Sequence, residues 1–155
     1  MVTRFNYKTW WELQNFKRKN GITNPIYASP IRINQQLPIK GIVLVLEMRN
    51  DINKIMGVSL IMNYIYADRH YHIYSEGNYN RYIYKGKYRI DREEMNIKEE
   101  KIMQLLDAIV FKGYDHVKRG QGIARLPEKK SKGIKIDNKS LGKCIKDMFI
   151  ERNYV

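Results

Sequence analysis

The chain is 155 residues long, with 43% hydrophobic residues, twelve tyrosines and a formal net charge of +13 from 29 Lys+Arg against 16 Asp+Glu. That length matches one ordinary domain with a real core, so a single domain over 1–155 is expected, and the hydrophobic fraction and the tyrosines argue against disorder. The lone cysteine, Cys144, excludes an internal disulfide and a multi-cysteine zinc site, and its apolar helical setting predicts a small core filler.

At the start, MVTRFNYKTWW lacks the continuous apolar stretch of a signal peptide, and the longest aliphatic run is 42–46. An intracellular protein with no membrane partner is therefore expected, in cytoplasm, nucleus or virion. Thr9 followed by Glu12 reads as a capping box opening a helix; Lys17, Arg18 and Lys19 fill its last turn and Gly21 stops it. Trp10, Leu13 and Phe16 then lie along one side. The stretch NPIYASPIRINQQLP is punctuated by Pro25, Pro30 and Pro38 and reads as extended chain.

The clearest strands are 39–48 (IKGIVLVLEM) and 55–63 (IMGVSLIMN), joined by the polar RNDINK turn. Their near-continuous apolar character predicts burial on both faces, as in a closed barrel. Further strands are expected at 69–74 and 81–90, with a bulge or tight hairpin at Lys85-Gly86-Lys87. From Ile97 the period turns helical through Ile102, Leu105, Leu106, Ile109 and Val110, with glutamates at the beginning and Gly113 at the end. A last helix from about Ser140 carries Leu141, Cys144, Ile145, Met148 and Phe149. The lysine-rich run PEKKSKGIK reads as an exposed turn or mobile segment. The whole is an α+β domain: a small, mostly antiparallel barrel or curved sheet flanked by about three helices.

Charge is unevenly spread. Residues 1–54 carry nine cations against three anions, 55–111 eight of each, and 112–146 eleven against three. Excess positive charge at both ends of the chain points to a polyanionic partner, of which nucleic acid is the commonest.

The segment FKGYDHVKRGQGIARLP packs His116, Lys118, Arg119 and Arg125 around three glycines directly after the best helix. Gly120 and Gly122 free the backbone for positive φ and close approach, and the flanking cations supply charge for a phosphate. The segment is neither a Walker A loop, lacking GK[ST], nor a dinucleotide fingerprint, since it follows a helix. A plain connection with turn-forming glycines is the competing structural reading. Tyrosines form a second candidate feature. Tyr82 and Tyr84 share a direction on their strand, and with Arg69, Arg81, Lys85, Lys87 and Arg89 interleaved such rows can stack bases while cations hold phosphates. Strand propensity alone explains many of the same tyrosines.

Support for catalysis is thinner. Asp115 and His116 are adjacent and point apart on extended backbone, His70 and His72 lack a third metal ligand, and Asp91, Glu93 and Glu94 suit the electrostatics of a helix start. No catalytic residue, metal or cofactor is assigned.

A hydrophobic strand and turn followed by the Gly-containing strand IMGVSLIMN, with a Trp-bearing helix before them, resembles the central hairpin of PUA-like domains, the superfamily of the EVE, YTH and ASCH groups. The resemblance covers about residues 5–112. It implies a compact barrel with helices around it, often used to bind RNA or a modified base, with 113–155 adding the basic loop and last helix. The GxKxxExR element of ASCH members is absent, and both tryptophans sit together at Trp10 and Trp11, so no Trp-lined cage maps onto the chain. YIYKGKYRIDREE followed by HVKRGQGI also looks like uncharacterised proteins of large DNA viruses.

The expected function is a non-enzymatic module recognising RNA or DNA, with a modified or flipped base among its possible targets. Its site would comprise His116, Lys118, Arg119, Gly120, Gly122 and Arg125, with Trp11, Tyr82 and Tyr84 stacking. The alternatives are a virion-associated or assembly protein that binds polyanions without selectivity, and a small nuclease. Oligomeric state is left open by the sequence.

Overall fold

The computed structural model describes residues 1–131 and 134–155, with backbone alone at 129–131 and 134–136. In chain order the elements are β1 (Val2–Phe5), α1 (Tyr7–Lys19), β2 (Ile26–Ser29), β3 (Ile42–Arg49), β4 (Lys54–Met62), β5 (Tyr82–Asp91), α2 (Ile97–Phe111), β6 (Lys129–Ser131), β7 (Ile134–Ile136) and α3 (Asn138–Glu151). Five strands form one mixed sheet in the order β1-β3-β4-β5-β2, curled into a half-barrel. β1 runs parallel to β3, and the β3–β4, β4–β5 and β5–β2 pairs are antiparallel. The short β6–β7 hairpin stands apart and occupies part of the expected lysine-rich turn; what that reading says of residues 132–133, and of side chains at 129–136, lies outside the described residues.

The long apolar runs of β3 and β4 follow from their central place in the sheet, because alternate residues enter different cores. Leu46, Met48, Val58 and Ile90 join Met103, Leu106 and Val110 of α2 and Ile145, Met148 and Phe149 of α3. Val43, Val45, Ile61 and Ile83 join Trp10 and Leu13 of α1 with Tyr71, Ile73 and Tyr74 from the chain between β4 and β5. Each such side chain, fully buried, stabilises the fold by about 1.5–3 kcal/mol. Both faces are covered as expected, but by helices and loop packing on an open sheet rather than by closure of a barrel.

Several local expectations are corrected. Helix α1 begins earlier than Thr9: Asn6 is its N-cap, its side chain accepting from the Thr9 N–H at 2.8 Å while Thr9 Oγ1 accepts from the Asn6 N–H at 3.0 Å. Residues 69–74 are not a strand. The Asn80 carboxamide accepts from the N–H groups of Ile73 (3.1 Å) and Tyr74 (2.9 Å) and donates to the Tyr74 carbonyl (2.7 Å), replacing a ladder with side-chain bonds. On α2, Met103 takes the buried position and Leu105 is 60% exposed, and on α3 Cys144 is exposed rather than a core filler. The expected irregularity at Lys85-Gly86-Lys87 is present as a bulge: Leu60 pairs with Tyr88 and Ile61 with Gly86, leaving Lys87 extra.

Arg89, expected among surface cations, lies on the α1 side of the sheet. Its Nη2 reaches the buried Glu47 carboxylate at 2.7 Å, and its Nη1 reaches Asp91 at 2.6 Å. Tyr27 completes the cluster with its hydroxyl against Glu47 and against Ser59 Oγ at 2.6 Å. The carboxylate's charge is thus met by one guanidinium and one phenol inside the fold, which is what burial of an ion requires.

Candidate functional site

The half-barrel has two sheet edges, β1 and β2, and the chain after α2 runs between them. The edges approach closely enough for the Phe5 and Tyr27 ring centroids to lie 6.5 Å apart. Into this seam comes the basic glycine segment. Val2 and Ala124 exchange two backbone bonds, Val2 N–H to Ala124 O at 2.7 Å and Ala124 N–H to Val2 O at 2.9 Å. Gly122 sits against β2 with φ of 65°, where a Cβ would stand 2.3 Å from Ser29 Oγ. Gly120, at φ 130°, lies flat on the Arg4 guanidinium, which a Cβ would meet at 3.0 Å. Both glycines are therefore required by backbone conformation and by close approach.

Two side chains tie the loop to the sheet. Arg4 Nε donates to the Val117 carbonyl at 2.6 Å, and Asn50 Nδ2, from the β3–β4 turn, donates to the Lys118 carbonyl at 2.9 Å. His116 Nδ1 accepts from the Lys118 N–H at 3.3 Å, bracing the loop from within. Each tether uses one end of its side chain. Arg4 Nη1 and Asn50 Oδ1 are buried and have no hydrogen-bond partner among the described residues. Burial holds the Arg4 guanidinium below its ordinary pKa, as a desolvated cation without a counter-charge requires.

These two residues line a cavity of about 200 Å³ at the seam. The sheet contributes Thr3, Arg4, Phe5 and Ala28, and the start of α1 contributes Asn6 and Thr9. Lys118, Gly120, Gln121 and Gly122 form the loop side, and Tyr74 and Tyr79 add rings. No carboxylate is among the described lining residues, so the field inside is set by Arg4, Lys118 and backbone N–H groups. Comparison with protein-family models, with curated proteins and with solved structures finds no match to this chain.

The expected site residues divide into those the seam gathers and those it does not. Lys118, Gly120 and Gly122 line the cavity, and His116 braces the same loop. Arg119 is exposed on that loop outside the cavity lining. Arg125 is exposed at a different cavity, with Asn34, Gln36 and Asn138, and leaves the proposed cluster. Trp11 is 41% exposed on α1 with its ring 6.1 Å from that of Tyr7. Tyr82 is half-buried, with the guanidiniums of Arg32 (5.2 Å) and Arg81 (5.4 Å) near its ring. Tyr84 corrects the stacking expectation: it is 1% exposed, and its hydroxyl accepts from the Ile33 N–H at 2.9 Å, so no ring face is open to a base.

Arg4, Asn50, Asn6 and Tyr79 were not legible as site residues. Arg4 sits on a four-residue strand too short to show a period, and Asn50 sits in a turn whose polarity has an ordinary explanation. A signal was present for Arg4: a cation between Thr3 and Phe5 in an otherwise apolar opening segment.

Proposed function

We propose that the protein is a nucleic-acid-binding module whose contact with the phosphate backbone is centred on the seam between β1 and β2. The observation that carries this reading is the carboxylate-free cavity in which a buried guanidinium nitrogen without a partner meets the basic glycine loop. A phosphate oxygen supplies the acceptor that Arg4 Nη1 lacks, in a charge-assisted bond. Arg119 adds an exposed cation on the same loop, and Trp11 and Tyr82 offer ring surface for unpaired bases. The net charge of +13 supplies long-range attraction. The PUA-like resemblance of the central hairpin agrees with this reading, and recognition of a modified or flipped base is its finer form.

Titration of a labelled single strand at increasing salt, by fluorescence anisotropy, tests the reading. The double variant Lys118→Gln, Arg119→Gln is expected to weaken binding and to reduce the slope of log affinity against log salt by about 1–2. Wild-type affinity and slope in that variant would remove the loop from the interface. Random and structured strands bound equally, with the wild-type slope intact, would favour the non-selective assembly protein.

A further inference from the structure

Two buried atoms without partners sit among residues of one cavity, and they are of opposite kinds. Arg4 Nη1 is a donor in need of an acceptor, and Asn50 Oδ1 is an acceptor in need of a donor. Buried groups of this kind each carry a desolvation cost that a bound partner would remove. A ligand in the cavity therefore offers Arg4 an acceptor, and a hydroxyl that it carries can donate to Asn50. An internal phosphodiester fits half of this requirement: its two free oxygens accept, and it carries no proton. A phosphate monoester fits that half better, because its terminal group brings up to a second negative charge and three free oxygens to Arg4 and Lys118, where a diester brings one charge and two.

The shape of the site agrees with the chemistry. Both sheet edges, the start of α1, the β3–β4 turn and the glycine loop contribute to a space of about 200 Å³. Walls from six parts of the chain, Tyr74 and Tyr79 between β4 and β5 included, suit a group that ends inside the cavity better than a strand that runs through it.

We propose that the seam cavity binds a phosphate monoester, supplied either by the terminal phosphate of a nucleic-acid strand or by a free nucleoside monophosphate. The strand-end source rests on the nucleic-acid reading above; the mononucleotide source does not. Arg4 and Lys118 hold the charged oxygens, whose greater charge and number distinguish a monoester from a diester.

The test compares single strands of about 12 nucleotides ending in 5′-phosphate, 3′-phosphate or hydroxyl, together with adenosine monophosphate, adenosine and inorganic phosphate as competitors. A phosphorylated end is expected to bind at least about tenfold tighter than a hydroxyl end, with adenosine monophosphate competing and adenosine inert. Arg4→Lys should abolish that preference, with phosphorylated ends losing more affinity than hydroxyl-ended strands. Since Arg4 also ties the loop through Val117, Lys118→Gln is the second variant; its backbone tethers persist, and it should reduce the preference with an unchanged melting temperature. Equal affinity for all ends, with no competition by adenosine monophosphate, overturns the monoester site and leaves the nucleic-acid reading standing. Adenosine monophosphate bound by a protein that binds no strand supports the monoester site and overturns the nucleic-acid reading. Inorganic phosphate competing as well as the mononucleotide, with no end preference, marks an unselective anion pocket and overturns the proposal.

Discussion

At the scale of single residues, the structure separates tyrosines that hold the fold from those that face solvent. Tyr84 belongs to the first kind, since its ring is enclosed and its hydroxyl is the acceptor for the buried Ile33 N–H. Tyr84→Phe keeps the ring and removes only that acceptor, so the cost is that of one unsatisfied buried donor, about 1–3 kcal/mol. Urea unfolding should show the loss as a shifted midpoint at unchanged slope, while strand affinity stays at the wild-type value. Reduced affinity with wild-type stability would return Tyr84 to the binding surface. Tyr82, one ring away on the same strand and paired with two guanidiniums, is where a stacking variant belongs.

At the scale of elements, the helices are fastened by arginine–carboxylate pairs, and their titration predicts how stability follows pH. Glu99, at the start of α2, is held below the usual carboxylate range by its bonds to Arg152 beyond α3, the shortest at 2.5 Å. Glu100 is likewise lowered by hydrogen bonding to Arg92, at 2.6 and 2.8 Å. For Asp91, burial acts upward, yet the Arg89 bond and others bring the carboxyl below its ordinary value. A carboxylate whose folded pKa lies below its unfolded one contributes stability above the unfolded value and loses it as pH falls through the folded one. Stability from these pairs is therefore expected to be level near neutrality and to decline below about pH 4.5. Glu99→Gln should lower the neutral plateau and flatten the acid limb; an acid limb of wild-type steepness would assign acid sensitivity to other groups.

The same elements show what the sequence made legible. Capping residues, heptad-like apolar spacing and β-branched runs place α2, α3, β3, β4 and β5 to within a few residues, because each signal is local. β1 and β2, four residues each, are defined by partners 44 and 59 or fewer positions away, Val2 with Leu46 and Ile26 with Lys85, and leave no local period. The site straddles those two strands. Its loop was readable from glycine and charge, whereas Arg4 and Asn50 acquire meaning only once the sheet curls and brings its edges together.

At the scale of the whole molecule, the seam is held by fewer backbone bonds than the centre of the sheet. The β3–β4 pair is a ladder extending from Ile42↔Met62 to Arg49↔Lys54, whereas the glycine segment meets β1, among the described residues, through one backbone bridge at Val2 and Ala124 and the Arg4 side chain. Local opening follows the density of such bonds, so the seam should open at lower free energy than the centre of the sheet. Amide hydrogen exchange is expected to be faster at Ala124 than at Val45 and Leu60, which lie in the middle of the central strands. Added ligand changes the expectation in one place. A monoester that joins Arg4 to the loop stabilises the closed seam in proportion to its occupancy, slowing exchange at Val2 and Ala124 and leaving β3 and β4 nearly untouched. Uniform slowing over the whole sheet would indicate global stabilisation by a site elsewhere, and equal protection of Ala124 and Val45 without ligand would show that the glycine segment is an integral strand of the fold rather than its closure.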